Sequence, residues 1–383
     1  MKAPARAPRD VQVAVAAQFG LAFSINFVFV FLPFYVRSIS PFDEAATLRW
    51  TGLIMGGASL VATFVSPVWG YMTARRSPKH LFERALLSHA VALGLMAATT
   101  NLHLLLLLRL AQGFLGGLST IGIIIVSATS PPEQMPRNMG YYQASMTLGQ
   151  LVGPPVGALA AAAFGYRAAF LVTAALVGAI FVFSHRSLSL IAPRSVERAK
   201  TAMPLRRVAA FFGLSLAATV QITFLPSILP HVLRGLAVRE DLQPVAAGLI
   251  VSAYALASIL GSAGLSRMAS RVGATRLIVW CGLAASVLQV VLLFGHAVWS
   301  FTLIRMAQTA AVSALPPLVM ARVAEHGHGG TLGLVNASRF AGNTLGPILG
   351  TFILASGTLP PLYVTIAGLT LAALLGYRLT ARG

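Results

Sequence analysis

Acidic side chains are scarce in this chain: nine Asp and Glu stand against 28 Lys and Arg in 383 residues. They are Asp10, Asp43, Glu44, Glu83, Glu133, Glu197, Glu240, Asp241 and Glu325, and none falls deep inside an apolar run. No embedded acid is therefore available to titrate within a membrane or to attract a cation there. Cysteine is scarcer still. Cys281 is alone and lies in an apolar run, which excludes an intrachain disulfide and a thiol metal site. Charge of either sign is thin: 10% of residues are charged against roughly 25% in soluble domains. What is abundant is hydrocarbon, at 57% hydrophobic residues and a mean hydropathy of +0.80. The apolar runs are 18–26 residues long, which suits helices crossing a core of about 30 Å, and alternating strands of about 10 residues are absent. The class is an all-α, polytopic integral membrane protein.

Twelve spans are expected near 11–36, 50–73, 81–99, 103–128, 138–163, 167–187, 206–234, 244–268, 275–295, 298–322, 333–356 and 359–379. The basic start "MKAPARAPRD" leads into an uncleaved first span, because no small-residue cleavage site follows a short apolar region. The net charge of +19 does not point to nucleic acid, because the cations cluster in short links between spans. If both termini lie on one side, the links on that side carry twenty Lys and Arg and the opposite links five. The positive-inside rule then places both termini in the cytoplasm, with the basic face on inner-leaflet headgroups. The longest polar stretch, "RSLSLIAPRSVERAKTAMPLRR" at 186–207, divides the chain. The expected domains are a six-helix half at 1–187, a cytoplasmic linker at 188–205 and a second six-helix half at 206–383.

The halves are copies. "FLP" at 31–33 recurs at 224–226, and "GLI" at 52–54 recurs at 248–250. Arg75 recurs as Arg271, "RLAQ" at 109–112 as "RMAQ" at 305–308, and "GQLVGPPVG" at 149–157 as "GNTLGPILG" at 342–350. The offsets are 193 or 196 throughout, in one order, which a chance triplet would not give.

Three of these stretches carry chemistry. Gly149, Gly153 and Gly157 are spaced by four and stack on one helix face, as do Gly342, Gly346 and Gly350, so a neighbouring backbone can approach closely. Pro154, Pro155 and Pro347 kink those spans, which is tolerable only where protein or a cavity covers the freed carbonyls. Plain tight packing remains an alternative reading. In "RLAQGFLGG", from Arg109 through Gln112 and Gly113 to Gly117, a cation inside the membrane needs a cavity or a partner, unless it snorkels to the interface. Arg305 is its second copy. The link "GYMTARRSPK" at 70–79 has Gly70 and Arg75, and "SRMASRVGA" at 266–274 has Arg271 and Gly273.

On these motifs the chain resembles the major facilitator superfamily along its whole length, and within it the twelve-span drug:proton antiporter group of bacterial multidrug exporters. The resemblance implies the major facilitator fold, two pseudo-symmetric six-helix halves rocking about a midplane site. It implies that the glycine-proline motif forms part of the seam between halves and that Arg109 serves proton coupling. It also exposes a departure: the link between spans two and three should carry an acid where Ala74 stands, and the second copy has Ser270 there.

Candidate cavity residues are Asn26, Phe31, Phe34, Tyr35, Arg109, Gln112, Tyr142, Gln143, Gln150, Gln221, Phe224, Tyr254, Arg305, Gln308 and Asn343. A mostly apolar site with few polar groups suits amphiphiles, although ordinary helix packing or an interfacial belt is the leading reading for any one aromatic. His89 is expected at a packed or lipid-edge position, and Asp10 and Glu83 in hydrated inner interfaces. No enzyme constellation appears: no Walker loop, no Ser-His-Asp arrangement, and in "EHGHGG" only two close histidines, His326 and His328. No cofactor or metal is expected. The reading is a monomeric secondary transporter in a bacterial inner membrane, exporting neutral or anionic amphiphiles by proton antiport. A facilitator or importer of a small organic anion and a transporter-like scaffold are the alternatives.

Overall fold

The computed structural model describes residues 7–73, 75–190, 204–325 and 329–381. Among them the ordered elements are helical, with no strand. In chain order they are α1 (Ala7–Ile39), α2 (Glu44–Met72), α3 (Pro78–Ala98), α4 (Leu102–Leu115), α5 (Leu118–Thr129), α6 (Met135–Ser187) and α7 (Leu205–Thr223). Then follow α8 (Leu225–Gly235), α9 (Gln243–Val272), α10 (Ala274–Val291), α11 (Val298–Ser313), α12 (Leu315–Glu325), α13 (Gly329–Ala355) and α14 (Leu359–Ala381).

Fourteen helices make twelve spans for identifiable reasons. The stretch Arg137–Ser187 is 51 residues long, about 77 Å at 1.5 Å per residue, twice what a bilayer needs. Gly165 breaks it with φ 79° and ψ 163°, a conformation a side chain resists, so α6 is spans five and six. Three other spans are each interrupted once. Span four breaks between α4 and α5 at Gly117, with φ 94°. Span seven kinks at Phe224, just before Pro226, and span ten at Ala314, just before Pro316 and Pro317, where the missing N–H groups end the preceding hydrogen-bond ladder. The expectation of twelve spans is borne out. Large apolar side chains such as Phe64, Phe164, Leu260 and Trp299 are highly exposed, an arrangement that lipid rather than water accommodates.

Contacts group the chain into two units. The first comprises Met1–Tyr35 and Leu60–Glu197, the second Val36–Ser59 and Arg198–Gly383. This grouping differs from the expected halves at 36–59, the last residues of α1, the link after it and the first part of α2. There Gly52 and Gly56 lie against Thr344, Pro347, Ile348 and Thr351 of α13. Of the expected linker, residues 191–203 lie outside the described residues, as do Ala74, His326 and His328. The second unit's core joins Leu214 and Ala218 of α7, Ile278 and Ala285 of α10, Val312 of α11, Leu315 and Val319 of α12 and Leu374 of α14. Lipid offers no hydrophobic drive for such contacts, so close van der Waals fit carries them.

Helix ends are closed individually. Asn101 caps α4, its Oδ1 accepting from the backbone N–H of His103 at 2.9 Å and of Leu104 at 3.1 Å. Asn101→Ala should cost about 1 kcal/mol, read as a lower thermal-unfolding midpoint of the purified protein in detergent.

Candidate functional site

Arg109 and Arg305 each stand three residues before a glutamine on a helix, which puts each pair on one face. Arg109 Nη1 donates to Gln112 Oε1 at 3.0 Å. With that oxygen engaged, the Gln112 amide lies 3.3 Å from His89 Nδ1 on α3 and donates to it. Gln112 is buried and Arg109 half-buried. Arg109 therefore turns into its own unit toward α3, and His89, expected at a packed or lipid-edge position, is joined to it through Gln112.

The second copy is larger and more enclosed. Arg305 Nη1 donates to Gln308 Oε1 at 2.7 Å, Gln308 Nε2 to Gln221 Oε1 at 2.6 Å, and Gln221 Nε2 to Thr370 Oγ1 at 2.8 Å. One directional chain thus runs from α11 through α7 to α14. Arg305 Nη2 donates to the Ile222 carbonyl at 2.9 Å. That carbonyl is free because its ordinary helical donor four residues on is Pro226, which has no N–H. The guanidinium carbon sits 5.2 Å from the Phe224 ring centre and 4.9 Å from that of Tyr254, cation–π distances. Arg305 is 0% exposed, and among the described residues no carboxylate pairs with it.

The described carboxylates that pair do so near helix ends. Glu44 engages Arg234 and His231, Glu240 engages Arg37, and Asp241 engages Arg239. Glu83 lies 3.7 Å from Lys79 and 3.3 Å from His185. Asp10 accepts from the Ser189 backbone N–H at 2.8 Å. The expected hydration of Asp10 and Glu83 is corrected: they are 2% and 7% exposed, and packing at the end of α6 replaces water by these partners.

The glycine faces pack inside each unit. A Cβ at Gly149 would lie 2.6 Å from the Phe23 nitrogen, one at Gly153 would lie 2.8 Å from the Phe23 carbonyl oxygen, and one at Gly157 would overlap the Phe27 carbonyl. All three glycines receive the backbone of α1. In the second unit Gly342, Gly346 and Gly350 face Thr219, Thr223, Phe224 and Ser227 of α7 and α8. The resemblance put these faces at the seam between halves; the contacts they make here run from span five to span one and from span eleven to span seven. Pro154, Pro155 and Pro347 lie within continuous helix. Gly113 is buried on α4. Gly70 lies near the end of α2, Arg75 is exposed with its guanidinium over the Tyr71 ring, Arg271 is exposed, and Gly273 ends α9 at φ 91°.

The remaining candidates divide. Tyr142 donates to Gln18 Oε1 at 2.7 Å, in room left by Gly122, and is buried rather than presented as a wall. Phe31 and Tyr35 pack on Tyr166 and Phe170 of α6, and Phe34 is buried as well. Asn26 donates to the Ala22 carbonyl of its own helix. Gln143 and Gln150, two turns apart on α6, are exposed, and Asn343 is half-buried. Sequence reading missed Gln18, Thr370 and Tyr363. Tyr363 lies against Phe224 with ring centres 6.0 Å apart. Only the polarity of Gln18 and Thr370 within apolar runs could have signalled them.

The family model for the Major Facilitator Superfamily matches residues 14–208 and 208–382. The chain belongs to the Major Facilitator Superfamily. Within the superfamily it is 26% identical, over 366 residues, to a multidrug resistance protein MdtG of Salmonella dublin, covering 92% of this chain and 90% of that protein. Its fold is similar to a bacterial homolog of the human lysosomal transporter Spinster in an inward-facing, occupied conformation, with a TM-score of 0.74 and 15% identity over 96% of both chains. It is equally similar to a D-xylose–proton symporter, with a TM-score of 0.74 and 14% identity over 96% of this chain and 97% of that one. Both superfamily structures bear on the fold alone. The protein is a multi-pass integral membrane protein of this carrier superfamily.

Proposed function

We propose that this protein is a secondary active exporter of small amphiphiles, neutral or anionic, working by alternating access and proton antiport. The observation that carries the charge preference is Arg305, a fully buried guanidinium that no described carboxylate neutralises. A buried cation with no embedded acid to offset it disfavours a second, permanent cation nearby, because an uncompensated charge in low dielectric is costly. Similarity to a multidrug resistance protein over nine-tenths of both chains supports export of drug-like molecules. The twenty-to-five distribution of Lys and Arg supports cytoplasmic termini in a bacterial inner membrane. The protein acts as a monomer and moves its substrate without covalent chemistry.

Proteoliposomes with an imposed pH gradient test the reading with neutral, anionic and permanently cationic fluorescent amphiphiles. The gradient should drive the first two and leave the third behind. A strong preference for the cation overturns the charge assignment. Gradient-independent equilibration leaves a facilitator of an organic anion, a reading that the shortage of membrane-embedded acids favours.

A further inference from the structure

The break in span four leaves backbone carbonyls without helical donors, and in hydrocarbon each such group costs several kcal/mol. Two side chains from neighbouring spans take them up. Trp69, near the end of α2, donates Nε1–H to the Phe114 carbonyl at 2.8 Å. Arg84, near the start of α3, donates Nη2–H to the Leu115 carbonyl at 2.9 Å and to the Gly116 carbonyl at 3.1 Å. The Arg84 guanidinium carbon lies over the Trp69 ring, 3.5 Å from its centre. Gly117 completes the fit: at φ 94°, a Cβ there would stand 3.0 Å from Trp69 Cβ and Cγ. This cation–π contact orients the guanidinium fork, and the indole fills the space beside the turn.

We propose that Arg84 and Trp69 are positioning residues that clamp this break and thereby hold the Arg109–Gln112 face of α4 in register against His89. Span three grips span four at two levels, Arg84 on the carbonyls of Leu115 and Gly116 and His89 on Gln112. The fold does not require the clamp. The position 196 residues after Arg84 is Trp280, which is exposed, and the position 196 after Trp69 is Leu265. The matching break in span ten, at Ala314, is flanked instead by Ser313 Oγ donating to the Ser258 carbonyl at 2.9 Å. The charged clamp is thus an addition to the first half. Its consequence for substrate rests on the proposed transport function; its consequence for the break does not.

Hydrogen exchange and dye transport on the full-length reconstituted protein test it, with Arg84→Gln, Arg84→Lys and Trp69→Phe. Arg84→Gln and Trp69→Phe should accelerate exchange about tenfold at amides 113–122 and leave most of α3 unchanged. For an anionic amphiphile their KM should rise about tenfold, against less than about twofold for a neutral one. Arg84→Lys keeps the charge without the planar fork and should fall between. Unchanged exchange at 113–122 in both Arg84→Gln and Trp69→Phe, or acceleration spread evenly over α3 and α4, overturns the clamp. If wild type moves no dye, the transport reading fails while exchange still decides the clamp.

Discussion

Gly157→Ala should destabilise the protein more than any other alanine substitution within the two glycine motifs. The added methyl would occupy the place of the Phe27 carbonyl oxygen, a backbone atom that cannot rotate away. Either α1 or α6 must shift, and with it the contacts at Gly149 and Gly153, where a Cβ has 2.6 Å and 2.8 Å of room. Overpacking of this kind costs about 1–3 kcal/mol, with the upper end expected where the obstacle is main chain. Two comparisons isolate the effect. At Gly350 the nearest atoms to an added Cβ lie at 3.4 Å, ordinary contact, so Gly350→Ala should be neutral. At Gly178 nothing lies within 4 Å, so Gly178→Ala should gain up to about 1 kcal/mol of helix propensity. Thermal unfolding in detergent measures all three. Equal midpoints for Gly157→Ala and Gly350→Ala would remove the close α1–α6 approach.

That contrast marks where sequence stops being informative. The two motif copies read alike, and spacing by four reveals a face but not what lies on it. The spans were legible because a hydrocarbon core dictates how many apolar residues a helix needs, and the duplication because offsets accumulate in order. The break between spans five and six was legible at Gly165 for the same reason. Neighbours were not. His89 looked peripheral because nothing in α3 says that Gln112 reaches it. Asp10 and Glu83 looked hydrated because burial by the end of α6 is a tertiary fact. Arg109 and Arg305 were legible as unusual cations, but nothing in the two copies says that the second is the sealed one. Pro226 held part of the signal, since it frees the Ile222 carbonyl, but the donor that answers comes from a span eighty-three residues on.

Arg305 gives the second large effect, and its sign runs against a conservative-substitution rule. Arg305→Lys keeps the charge but offers one compact ammonium with a shorter reach, unable to serve Gln308 Oε1 and the Ile222 carbonyl together or to lie between the Phe224 and Tyr254 rings. A buried charge stripped of its partners costs about 3–5 kcal/mol. Arg305→Met leaves the Ile222 carbonyl unanswered, at about 1–3 kcal/mol, and leaves Gln308 Oε1 only the Thr309 hydroxyl at 3.2 Å, but it also removes the burden of burying a cation, which offsets part of that loss. Arg305→Met should therefore unfold at a higher temperature than Arg305→Lys, with wild type above both. Transport separates them differently. An anionic amphiphile should lose at least about tenfold in kcat/KM in both variants, while a neutral one should survive in Arg305→Met. A lysine variant as stable as wild type would mean that charge alone, without the fork and the two rings, satisfies this site. Retained anion transport in Arg305→Met would move the charge selectivity elsewhere, with Arg109 as the next cation to test.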